Sequence, residues 1–144
     1  LGPGAGTFLG LAFGIITIFD PLAMTLMNYV PAITVLTVVL KGLCAGLVPS
    51  LLFRLISRKN KYVAAYVAAL AAPVCNTGIF FLGCLLMQEA LVASVGMAFW
   101  AFISLIMINF AIELGVNVVL APAIYSVDNV IEKRLSGKVK NNAA

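Results

Sequence analysis

The sequence contains no histidine, and its 144 residues include only nine basic and five acidic side chains. Without imidazole there is no Ser-His or Cys-His nucleophile. No carboxylate pair and no phosphate-binding glycine loop takes its place, so an enzyme is not expected. The three cysteines, Cys44, Cys75 and Cys84, form no CxxC and have no histidine to complete a zinc set. Neither a metal nor a cofactor is therefore expected, and the thiols read as small residues of an apolar interior. The scarcity of charge excludes still more. A soluble domain carries about 25% charged residues; this chain carries 10%, with 63% hydrophobic residues.

The few charges are clumped. No Asp, Glu, Lys or Arg occurs in residues 1–19, 62–88 or 90–112. A helix rises about 1.5 Å per residue and a bilayer core is about 30 Å thick, so roughly 20 residues are needed to cross. The second and third runs are long enough. The first is short and calls for a tilted placement or a thin membrane. The net charge of +4 does not point to nucleic acid. Arg54, Arg58, Lys59 and Lys61 share one turn between apolar runs, and Lys133, Arg134, Lys138 and Lys140 lie in the tail. That distribution follows the positive-inside rule, which places both groups on the cytoplasmic face of a bilayer.

The expected fold is all-α: a polytopic transmembrane helical bundle over residues 1–125, with four spans at about 4–19, 32–56, 62–88 and 97–123. A cytoplasmic polar tail follows over 126–144, beginning as a polar helix and ending disordered. Asp20-Pro21 reads as a helix stop, because proline disfavours helix in the residue before it. Pro31 is well placed to start a helix. The segments "DPLAMTLMNYV" and "QEALVASVG" read as outer loops. Gly42 and Gly46 are four apart, as are Ala64, Ala68 and Ala72, a spacing that lets helix backbones approach closely in lipid. Bundle packing accounts for it; docking of a further membrane subunit on the alanine face is the alternative.

Polar side chains interrupt three of the four spans. Lys41 stands in the second, Asn76 and Thr77 in the third, and Asn109, Glu113 and Asn117 in the fourth. The last three are spaced by four and so share one stripe of a helix. A charge at mid-bilayer costs roughly 2.5–3.5 kcal/mol on insertion scales and usually faces the protein interior or water. Two arrangements satisfy this. In one, Lys41 pairs with Glu113, and the asparagines serve backbone groups opened by Pro73 and Pro122. In the other, the polar groups line a ligand cavity open to the outside. Depth favours a pocket of Lys41, Asn76 and Asn109. Lys41 and Asn109 lie about 15 Å below the outer ends of their spans, and Asn76 several ångströms shallower. Glu113, a turn deeper, and Asn117 are then structural. Lysine there favours an anionic ligand group such as a carboxylate. Asp20, Asn28 and Tyr29 flank the mouth on one side, Gln88 and Glu89 on the other. Trp100 is placed as an interfacial anchor, with ligand stacking as the alternative.

The stretches "LGPGAGTFLGLAFG", "VVLKGLCAGLVPSLLFRLISRKNKYVAAYVAALAAPVCNTGIFFLG" and "INFAIELGVNVVLAPAI", in that order, resemble the substrate-binding (S) component of an energy-coupling factor (ECF) vitamin transporter. The resemblance covers nearly the whole chain and is nearest the pantothenate-type branch. It implies a six-helix fold of which this chain corresponds to helices three to six. It also implies a membrane subunit that binds one vitamin or related micronutrient from outside. Such a subunit works with a transmembrane coupling subunit and two cytoplasmic ATPases, and topples in the membrane to release its cargo. The family's helix-five Asn-Thr corresponds to Asn76-Thr77. Its usual helix-four arginine corresponds to Lys41, a point charge in place of a bidentate fork. The rival class is a membrane scaffold subunit or channel fragment with a structural Lys-Glu pair.

Overall fold

The computed structural model describes residues 2–141, and every regular element in them is helical. The elements are α1 (Pro3–Thr17), α2 (Pro21–Met27), α3 (Pro31–Ile56), α4 (Lys61–Leu86), α5 (Gln88–Val95) and α6 (Phe99–Asn141). The helix starts have local causes. Pro3, Pro21 and Pro31 each open a helix, where the missing N–H has no partner to lose. The Asn60 side chain accepts a hydrogen bond from the Val63 N–H at 3.1 Å and caps α4. Gly96, in the left-handed region at φ 69°, ends α5.

Three helices, α3, α4 and α6 as far as Ile131, are long and apolar enough to cross a membrane. A fourth crossing results only if α1 and α2 are taken together as one span, bent by 67° at the break between them. The described residues are thus helical throughout their regular elements, with three to four elements long and apolar enough to cross a membrane.

Both segments read as outer loops are helical instead. Asp20 does end α1, but its carboxylate also accepts the Leu22 N–H at 3.0 Å, so the same residue caps α2. The Asp-Pro signal for a stop is equally a signal for a new start. Residues 88–95 form α5, and α6 runs without a break from Phe99 past residue 125 to Asn141. The last residues of the tail, 142–144, where disorder was expected, lie outside the described residues.

In space the long elements form a row. Helix α3 packs between α1 and α4, and α4 packs on α6. Helices α2 and α5 touch one another and cover one end: α2 rests on α3, and α5 on α4 and α6. Beneath them lies the apolar core, where Leu26, Cys84, Met87, Leu91, Phe99, Phe102 and Ile103 are buried together. At the opposite end the Tyr62 ring meets Tyr125 edge-on, with centroids 5.5 Å apart, and the Tyr62 and Tyr66 hydroxyls are 3.0 Å apart. That contact ties the base of α6 to the basic α3–α4 turn. Arg54, Arg58 and Lys59 therefore occupy the same end of the row as the α6 segment that carries Lys133 and Arg134.

Helices α1 and α3 meet backbone to backbone. Gly6, Gly10 and Gly14 face Gly42 and Gly46. A Cβ on Gly10 would lie against the Gly42 carbonyl oxygen and 2.9 Å from Gly46 Cα, and one on Gly42 would meet the Gly10 carbonyl oxygen at 2.6 Å. The α3 half of this seam was expected from the Gly42–Gly46 spacing. The α1 half carries the same four-residue repeat, which sequence reading passed over.

Candidate functional site

The row curves around a cavity of about 720 Å³. Phe13, Ile16 and Thr17 of α1 form one wall, and Leu105, Ile106, Asn109 and Glu113 of α6 the opposite one. Lys41 of α3 and Asn76, Thr77 and Phe80 of α4 form the back. Phe19, Asp20 and Leu22, at the bend between α1 and α2, close it on a further side. A second cavity of about 200 Å³ shares Thr17, Asp20, Leu22, Lys41 and Phe80 with the first and runs under α2 to Thr34, Thr37 and Met87. Lys41 stands where the two meet.

Three expected site residues come together by a simple register. Lys41 is ten residues from the start of α3, Asn109 ten from the start of α6, and Asn76 ten before the end of α4. All three helix ends face α2 and α5, so each residue is about 15 Å along its helix from the same end. Asn76 is therefore level with the other two and not shallower. Thr77 is buried and also lines the cavity. Asn28 and Tyr29 do not. Asn28 is the C-cap of α2. Tyr29 lines a separate groove of about 580 Å³ with Gln88 and Glu89. The formation of α2 carries both residues away from the cavity, whereas a loop was expected to hang over it. Trp100 lies outside the cavity too; it is 69% exposed, with an edge contact to Phe99.

The charges are not arranged as a neutralised pair. Lys41 Nζ lies over the Phe80 ring, 4.7 Å from its centroid, a cation–π contact. Among the described residues Lys41 makes no ion pair with Glu113. Glu113 Oε1 instead accepts the Asn109 side-chain amide at 2.8 Å, and the Glu113 backbone oxygen accepts the Asn117 amide at 2.8 Å. The prolines inside α4 and α6 deprive the carbonyls of Ala69 and Val118 of their N–H partners. The Asn117 side-chain amide is bonded to the Glu113 carbonyl instead, and Asn76 makes no side-chain hydrogen bond among the described residues, its Oδ1 being buried. Among the described residues, then, neither a Lys41–Glu113 ion pair nor an asparagine bond to those two carbonyls is present.

Sequence reading missed Phe80 and undervalued Glu113. Phe80 is four residues beyond Asn76, so it shares a helix face with it. Glu113 shares the Asn109 stripe but was set too deep to belong to the pocket. Comparison with family models, with curated proteins and with solved structures gives no match for this chain.

Proposed function

We propose that the chain is the membrane-embedded substrate-binding subunit of an ECF-type importer. It captures a vitamin or related micronutrient that carries an anionic group, such as pantothenate, from the side opposite the basic turn. One observation carries this reading: a cavity of about 720 Å³ in which Lys41, Asn76 and Asn109 converge at one depth within apolar walls. Small-molecule sites are of this size, roughly 300–1,000 Å³, and of this makeup, mostly apolar with a few placed polar groups. The rival scaffold reading rests on a Lys41–Glu113 pair, and the ammonium lies on an aromatic ring instead.

The basic turn and the base of α6 lie at one end of the row, so positive-inside orientation puts that end in the cytoplasm. The α1–α2 bend and α5 then face outward, and the ligand enters from outside. Cysteine placed by Lys59→Cys, an exposed position clear of the α4 cap, is expected to resist membrane-impermeant maleimide in intact cells and to react once the cells are opened. Ready labelling from outside inverts the orientation.

The sequence carries no nucleotide-binding motif, so the driving force for uptake comes from other chains: a transmembrane coupling subunit and two cytoplasmic ATPases. Proteoliposomes containing this protein alone are expected to bind ligand without concentrating it, and ATP is expected to have no effect. Concentrative uptake by the protein alone without ATP removes the importer reading.

A further inference from the structure

The side chains facing the cavity carry three formal charges: Asp20, Lys41 and Glu113. One is positive and two are negative, so the lining sums to −1. Asp20 is exposed at the bend, with one oxygen engaged by the Leu22 N–H. Glu113 is half-buried in the α6 wall. Its only side-chain partner among the described residues is the neutral Asn109 amide on Oε1. A carboxylate offers about four acceptor positions on its two oxygens, so Glu113 keeps most of its capacity facing the cavity. Acceptor positions left unused there are ones a bound donor can fill. Among the three charges Lys41 is the single cation. A ligand that is only an anion satisfies Lys41 and leaves Glu113 unserved.

We infer that the ligand is bipolar: it sets a carboxylate or similar acceptor on Lys41, and a cationic or N–H-rich group, such as an amine or amidine, on Glu113. This rests on the cavity being a ligand site and narrows the ligand class within it. Lys41 stands on the back of the cavity and Glu113 on its α6 wall, so the two ligand groups meet different faces of it.

The probes are hexanoate, hexylamine and 6-aminohexanoate, one flexible chain with an acid, an amine or both. Each is titrated calorimetrically into the protein in nanodiscs, with empty nanodiscs as the reference. The two-ended probe is expected to bind at least tenfold tighter than either one-ended probe. In Glu113→Gln, which keeps an acceptor for Asn109, its advantage over hexanoate is expected to fall at least tenfold while hexanoate itself binds no more weakly. In Lys41→Met its advantage over hexylamine is expected to fall likewise. If hexanoate binds as tightly as 6-aminohexanoate and depends on Lys41 alone, the bipolar ligand is wrong and the cavity reading stands. If no probe binds, or binding ignores both substitutions in well-folded protein, the cavity reading fails and the inference fails with it.

Discussion

Gly10→Ala is expected to lower the melting temperature of the protein in detergent and to abolish ligand binding, although it adds a single methyl group. Alanine is a better helix former than glycine by about 1 kcal/mol, so local propensity favours the change. Contact opposes it more strongly. The new Cβ meets the Gly42 carbonyl oxygen, Gly46 Cα at 2.9 Å and Gly46 N at 3.0 Å, all of them backbone atoms of α3. A crowding side chain can rotate aside; a helix backbone cannot. Overpacking costs about 1–3 kcal/mol even where side chains can adjust. Relief here requires α1 to move off α3, the one long helix it packs on. Phe13, Ile16 and Thr17 move with it, and the cavity loses a wall. Gly115→Ala supplies the control, since a Cβ there meets nothing within 4 Å; it is expected to leave stability unchanged or raised. Equal melting temperatures for the two variants would show that the glycine seam does not hold α1 in place.

Lys41→Met is expected to fold as well as the unsubstituted protein and to bind ligand at least about tenfold more weakly. The binding loss follows from the roughly 1.5–3 kcal/mol of a hydrogen bond to a charged group. Normal folding follows from the arrangement of charges. With no ion pair to Glu113 to break, the substitution removes a half-buried cation and leaves an apolar chain of similar length beside Phe80. Lys41→Arg keeps the charge and is expected to retain most binding. A neutralised Lys41–Glu113 pair predicts the reverse pattern: Lys41→Met unfolds, because breaking a buried pair strands its partner, and Lys41→Met with Glu113→Gln restores the fold. Thermal unfolding and calorimetry on the single and double variants distinguish the two. An unchanged affinity in well-folded Lys41→Met protein takes Lys41 out of the site.

The sequence by itself determined that the chain is helical and where α3 and α4 begin and end, to within about two residues. Charge-free runs, a hydrophobic content of 63% and basic residues gathered in one turn and the tail are properties of composition and order alone. Pro31, Asn60 and Gly96 act within a turn of their own positions, so they place helix ends without reference to the rest of the molecule. The shared stripe of Asn109, Glu113 and Asn117 follows from helical period. Only the tertiary structure decided which faces meet. It set Gly6, Gly10 and Gly14 against Gly42 and Gly46 and levelled Asn76 with Lys41. It also laid the Lys41 ammonium on Phe80 and took Asn28 and Tyr29 out of the cavity. The reason is physical. In a soluble helix the apolar stripe points inward and gives the direction of packing. Here large apolar residues such as Phe8, Leu55, Ile108, Ile112 and Val119 lie on the outside. Because lipid is as apolar as leucine, hydropathy does not distinguish a face that packs from one that does not. The choice falls to close backbone approach and shape, which depend on two helices at once.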